Sequence, residues 1–144
     1  MNNRLMDIRE ENDLTQDKVG ELNNVTRTVI SKWENGKEII PMEHLNTYSN
    51  YFNVSFDYLM GLSRKKKYDN VINIDLDLKL IGTRIKKVRE DNNLTLRDLA
   101  EILNTSSSTI SAYETGKTLI LTSFALEICK KYKLSLDWLC GKIN

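Results

Sequence analysis

The sequence predicts an all-α protein made of two tandem copies of one five-helix domain. Three observations carry this. Residues 4–61 match residues 84–141 at a constant offset of 80, without a gap. In each copy, apolar residues recur at helical spacing between the Ser, Thr, Asn and Gly residues that start and stop helices. A hydrophobic content of 40% with a single proline in 144 residues fits a helical globular chain, not a disordered one. The ungapped repeat favours two small domains of roughly 60 residues over one larger domain.

The repeat is read directly from paired segments. Arg4-Leu5 meets Arg84-Ile85, and Ile8-Arg9-Glu10 meets Val88-Arg89-Glu90. Asn12, Leu14 and Thr15 meet Asn92, Leu94 and Thr95, and Gly36-Lys37 meets Gly116-Lys117. Ser55, Asp57, Leu59 and Gly61 meet Ser135, Asp137, Leu139 and Gly141.

Each element then follows in order. Leu5 and Ile8 mark a first amphipathic helix that ends near Asn12. Thr15 is placed to cap a second helix through about Leu22, and Thr95 repeats it with Asp98 at the capping-box position. Asn24 and Asn104 follow, the residue type that best tolerates the left-handed backbone of a tight helix–helix turn. Gly20 and Ala100 are small where the second helix must approach the third. Thr26 and Ser106 are placed to cap the third helix, and Gly36 and Gly116 fit its C-terminal stop. A fourth helix precedes a last short one, capped by Ser55 or Ser135.

The expected boundaries are 1–62 for the first domain, 63–77 for a basic linker and 78–144 for the second. Ile72, Ile74, Leu76, Leu78 and Leu80 alternate with polar residues, a period of two that suggests a short strand before a helix beginning near Asp77. The alternative is a helix extension burying Leu78 and Ile81. Arg64-Lys65-Lys66-Lys67 either touches phosphates or keeps a linker solvated. Fully extended, about 15 linker residues reach roughly 50 Å. Adjacent major grooves on one face of a duplex lie about 34 Å apart, so two heads on such a linker reach successive turns.

Charge is uneven although the net is +1. Residues 1–62 sum to −4, residues 63–80 to +2 and residues 81–144 to +3. An acidic first half counts against nucleic-acid binding by that half. No apolar run is long enough to span a bilayer and no signal core opens the chain, so a cytoplasmic protein without a membrane partner is expected. Cys129 and Cys140 lack metal or redox spacing and His44 stands alone, so both cysteines read as small apolar side chains. No metal and no cofactor is expected. Nor is catalysis: the chain has no Gly-rich phosphate loop and no nucleophile beside a base.

The third helix of the first copy carries the informative pattern. At about 100° per residue, with Arg27 at 0°, Ser31 falls at about 40°, Thr28 at about 100° and Lys32 at about 140°. Val29, Trp33 and Ile30 fall at about 200°, 240° and 300° on the opposite side. One face is apolar and the other wholly polar with two long cations. Such a face is an ordinary solvated surface, or one suited to the major groove, where Arg forks to guanine and Thr touches a thymine methyl.

Leu14-Thr15-Gln16, Asn24-Val25-Thr26 and Ile30-Ser31-Lys32-Trp33-Glu34-Asn35-Gly36-Lys37 resemble the Cro/phage-repressor (XRE-like) helix-turn-helix family. Leu94-Thr95 and Ile110-Ser111-Ala112-Tyr113-Glu114-Thr115-Gly116-Lys117 repeat the pattern. The resemblance covers nearly the whole chain except the stretch between the copies. It implies a lambda-repressor-like fold in each copy, with the third helix reading base edges of double-stranded DNA. Gln16 would then hold a phosphate or an outer base, and Arg27, Thr28 and Lys32 would read bases with Ser31 at the edge. Thr26 at the helix start and Lys37 just past its end complete the implied contacts. Arg9 with Glu34, and Arg89 with Glu114, match a structural ion pair tying the first helix to the third.

The second copy departs from the family where Leu96 replaces Gln16. Its reading face is Ser107, Ser108, Ser111 and Ala112, with Ser106 at the helix start as a further contact, and none of them makes a bidentate guanine contact. Arg97, Lys117 and neighbouring lysines make it the basic half. The expectation is a sequence-specific DNA-binding regulator, a repressor by default, with base readout in the first copy and backbone affinity in the second. The competing expectation is a protein-binding module, such as an antitoxin or a partner-docking adaptor on the same fold. A homodimer is compatible with either.

Overall fold

The computed structural model describes residues 2–68 and 75–144. The chain divides into two compact units, residues 1–74 and 75–144. The described residues form ten helices and no strand. The first unit holds α1 (Leu5–Glu11), α2 (Gln16–Asn23), α3 (Arg27–Glu34), α4 (Met42–Phe52) and α5 (Phe56–Leu59). The second holds α6 (Leu78–Asp91), α7 (Leu96–Leu103), α8 (Ser107–Glu114), α9 (Thr122–Tyr132) and α10 (Leu136–Leu139).

Caps set most of these boundaries. The Thr15 hydroxyl accepts from the Lys18 amide at 3.1 Å, and Ser55 accepts from Tyr58 at 2.9 Å. Thr95 and Asp98 form a reciprocal capping box, with bonds of 3.0 and 2.8 Å. Ser106 and Ser135 cap α8 and α10. Thr26 corrects the expectation: it occupies the N-cap of α3, but its side chain makes no capping bond. Asn24 and Asn104 adopt φ of 60° and 56°, the left-handed geometry expected of the turn.

The described part of the suspected strand forms no strand, and its last residues, Leu78 and Leu80, open α6. Asp77 accepts from the amides of Lys79 and Leu80, both at 3.1 Å, and starts α6 there. Ile81, Ile85 and Val88 then lie buried on one stripe, and this 3.6-residue period overrides the period of two at Leu78 and Leu80. Ile72 and Ile74 lie outside the described residues.

In the first unit, Leu5, Val19, Ile30, Leu45, Phe56 and Leu59 are fully buried and form the core beneath α3. Gly20 lets α2 pass the following turn: a Cβ there would stand 2.7 Å from the Val25 carbonyl oxygen. In the second unit the tight crossing is at Gly82, where a Cβ would meet the Tyr113 and Glu114 oxygens at 2.4 and 2.5 Å. Cys129 and Cys140 are both buried and are not joined in a disulfide. Lys142 is also buried, with Asp137 as an opposite charge nearby.

Residues 63–68 are fastened to the first unit. The Ser55 amide donates to the Lys66 carbonyl at 2.6 Å and its hydroxyl to the Lys65 carbonyl at 2.9 Å. The Tyr68 hydroxyl donates to Asp57, and Lys66 pairs with Glu11 at 3.3 Å. The basic run is thus held at the surface of the first copy, with Arg64, Lys65, Lys66 and Lys67 all exposed.

Candidate nucleic-acid interface

The site is built from the framework outward. Arg9 on α1 donates Nε to Glu34 Oε2 at 2.7 Å and Nη2 to Oε1 at 3.1 Å. Its third nitrogen donates to the Leu14 carbonyl at 2.9 Å, which fastens the α1–α2 turn to the end of α3. The Glu34 side chain is 1% exposed and that of Arg9 13%. The hydrogen bond to Glu34 raises the Arg9 guanidinium above its ordinary range, despite burial acting the other way. The second copy repeats the latch through Arg89, with bonds of 2.7 and 3.0 Å to Glu114 and 2.9 Å to the Leu94 carbonyl.

The two copies differ in what is hung on this latch. In the first, the Gln16 amide donates to Glu34 Oε1 at 3.0 Å. Gln16 is therefore half-buried and oriented by the ion pair. Leu96 in the second copy has no such group.

With the apolar side of α3 held down by Ile30 and Trp33, its polar side faces solvent. Thr26, Arg27, Thr28 and Lys37 are exposed, and Ser31 and Lys32 half-buried. Gln16, Arg27, Thr28, Ser31, Lys32, Asn35 and Lys37 together line one open hollow of about 280 Å³. Six of these seven are residues that the sequence had put forward. Asn35 was missed; as the C-cap of α3 it is exposed and its Oδ1 accepts from the Lys37 amide at 3.1 Å. Thr26 is not among the lining residues.

On α8 the corresponding face is short and partly self-occupied. Ser106 Oγ lies 3.0 Å from Ser108 Oγ and 2.9 Å from Thr109 Oγ1, so these hydroxyls satisfy one another. Ser107 and Ser111 are half-buried. Arg97 is exposed and pairs with Glu101 at 3.4 Å, one turn along α7. Lys117 is exposed. This face offers hydroxyls and scattered cations, and no forked donor on α8 itself.

Among the described residues no group of three or more His, Cys, Asp or Glu side chains is placed to hold a metal. None of their helices is long and apolar enough to cross a membrane.

Comparison with known proteins bears on both copies. Residues 5–59 match the helix-turn-helix family, and residues 82–144 match a second family described as a helix-turn-helix domain. The chain is 42% identical over 60 residues to the HTH-type transcriptional activator BcrR of Enterococcus faecalis. That match takes in 42% of this chain and 29% of the relative, so the chain spans less than a third of that protein. Similar solved structures include the clp gene regulator ClgR of Corynebacterium glutamicum, 24% identical, with a TM-score of 0.42 over 46% of this chain and 71% of the other. A transcriptional regulator from Listeria innocua is 22% identical, with a TM-score of 0.42 over 44% and 60%. Each half of the chain thus matches a helix-turn-helix domain, and the chain carries two such domains in tandem.

Proposed function

We propose that the chain is a sequence-specific, double-stranded-DNA-binding transcription regulator. In this reading α3 reads base edges and the second copy supplies backbone affinity. The observation that carries it is the hollow on the first copy. There a guanidinium, two ammonium groups, two hydroxyls and two amides converge on an exposed helix face whose opposite side is locked by Arg9 and Glu34. Arg27 and Lys32 supply guanine-directed donors, Thr28 a methyl contact, and Gln16 and Lys37 flank them toward the phosphates. The second copy, with Ser107, Ser108 and Ser111 on α8 and Lys117 beside it, suits sequence-blind contacts.

The helix-turn-helix domains, and the description of the Enterococcus relative as a transcriptional activator, support reading the chain as a regulator and not an enzyme. A DNA-bound role is consistent with a cytoplasmic protein. Repression is the default output, since occupying a duplex excludes other proteins from it. The Enterococcus relative is named an activator, and a reporter placed behind a bound fragment decides the sign.

The test is a pair of substitutions measured on a duplex selected from random sequence and on a scrambled control. Arg27→Ala should weaken the selected duplex by about 1–3 kcal/mol and leave the control nearly unchanged. Lys117→Ala should weaken both alike and flatten the salt slope by about one unit. Equal losses on both duplexes from Arg27→Ala would refute base reading by α3.

A second reading, a protein-docking module, is favoured by two features: the net charge of −4 over residues 1–62 and the self-satisfied serines of α8. Binding to DNA that is absent, or insensitive to salt, would select it. A homodimer on DNA would appear as two chains per selected duplex in sedimentation.

A further inference from the structure

The loop after α3 returns an acid to the reading face, and the two copies differ there as a matched pair. The Glu38 amide donates to the Lys32 carbonyl at 3.2 Å, and the Thr118 amide donates to the Ala112 carbonyl at 3.2 Å. One backbone bond therefore sets residue 38 or 118 beside residue 32 or 112 in each copy. In the first copy those positions hold Lys32 and Glu38, with Nζ 3.5 Å from Oε1. In the second they hold Ala112 and Thr118. Acid and base are present together or absent together.

Stability does not account for the pair. Its side chains are 44% and 56% exposed, and a solvated ion pair of this kind contributes little to folding. Its position is more telling, because Lys32 lines the hollow with Arg27 and Thr28. A lone exposed lysine there would grip any phosphate within reach and strengthen binding to every sequence alike. A carboxylate at 3.5 Å cancels that charge at the distance of a phosphate and repels the phosphate itself. It also restrains a flexible four-carbon stem to one side of the hollow.

We propose that Glu38 is a specificity-determining positioning residue. It masks Lys32 from the DNA backbone and aims its ammonium across α3. Lys32 then adds to binding only where a base-edge acceptor, such as guanine O6 or N7, meets the aimed ammonium. The inference rests on α3 being the DNA-reading helix. It differs from that reading in naming a residue that selects by withholding contact.

The experiment compares the intact chain with Glu38→Gln, Lys32→Ala and the double variant, on a selected and a scrambled duplex across a range of salt. Glu38→Gln should tighten binding to the scrambled duplex by about 3–10-fold and steepen its salt slope by about one unit. The selected duplex should change by less than about twofold, so discrimination falls. In the Lys32→Ala background, Glu38→Gln should no longer alter the ratio between duplexes. Equal tightening on both duplexes overturns the proposal, because Glu38 would then be a sequence-blind repulsive charge. A loss of discrimination that persists without Lys32, or no change at all, overturns it too. If the unmodified chain selects no duplex, the reading of α3 and this inference fall together. If it binds selectively and only the Glu38 pattern is wrong, the assignment of α3 stands.

Discussion

Replacing Arg9 by methionine should bring the first copy close to unfolding while leaving the second intact. Arg9 supplies two bonds to Glu34, at 2.7 and 3.1 Å, and one to the Leu14 carbonyl. Without it the Glu34 carboxylate, 1% exposed, keeps the Gln16 amide at 3.0 Å but loses the opposite charge. Breaking a buried pair by removing one partner costs about 3–5 kcal/mol. A domain of roughly 60 residues holds only about 3–9 kcal/mol in total, at 0.05–0.15 kcal/mol per residue. Tryptophan fluorescence separates the copies in urea, since Trp33 lies in the first core and Trp138 on α10 of the second. A Trp138→Phe background isolates the first signal. The Arg9→Met transition should then shift down by several molar urea or vanish, at an m-value of about 1 kcal/mol/M. Adding Glu34→Leu should restore much of the loss, because an apolar pair no longer buries a charge. A loss below about 1 kcal/mol from Arg9→Met would refute the reasoning: α3 would then be held by packing alone.

Three further outcomes are expected. Gly82→Ala forces a Cβ against two backbone oxygens at 2.4 and 2.5 Å, and should destabilise the second copy by about 1–3 kcal/mol in urea titrations read at Trp138; a neutral result would mean that α6 slides freely past α8. Tyr48→Phe removes a buried hydroxyl that has no hydrogen-bond partner among the described residues, so the first copy's melting temperature should hold or rise, whereas a loss above about 1 kcal/mol would reveal a partner. Asp98→Asn should lower the second copy's melting temperature near neutral pH. The backbone and side-chain hydrogen bonds of Thr95 hold the Asp98 carboxyl below its ordinary range, so its contribution is present above that range and lost as pH falls through the folded value. The gap between wild type and variant should therefore close in acid, and a gap independent of pH would exclude the carboxylate's charge as its origin.

What could be read from the sequence was what is local or repeated. Thr15, Thr95 with Asp98, Asn24 and Asn104 act within a turn or two of themselves, so their chemistry names their place. The Arg9–Glu34 latch spans 25 residues, and it became legible through the family resemblance and its second occurrence at Arg89–Glu114. Thr26 had the right type and position for a cap, yet nothing in the sequence reports that its rotamer leaves the helix amides alone. The fastening of residues 63–68 was hidden for a different reason. Two of its bonds run from Ser55 to the carbonyls of Lys65 and Lys66, and every residue has a carbonyl. Leu78 and Leu80 misled because a short alternating run is compatible with both periods, and only the Asp77 cap and the buried stripe beyond it decide. Within the hollow, Gln16, Arg27, Thr28, Ser31, Lys32 and Lys37 were legible from helix phase and resemblance. Gln16's bond to Glu34, and Glu38 beside Lys32, depend on how side chains from separate segments meet.

The duplicated latch has an evolutionary corollary. Arg9–Glu34 and Arg89–Glu114 have nearly the same geometry beneath outer surfaces that keep Ser31/Ser111 and Lys37/Lys117 but differ at Gln16/Leu96, Arg27/Ser107, Thr28/Ser108 and Lys32/Ala112. The latched side of the helix is thus kept between the two copies while most of its outer side differs. Substitutions confined to the outer side of α3 leave the bonds between Arg9 and Glu34 in place. Transplanting the outer residues of α3 and its following loop onto α8 should therefore yield a chain with two like-minded halves that melts as its parent does.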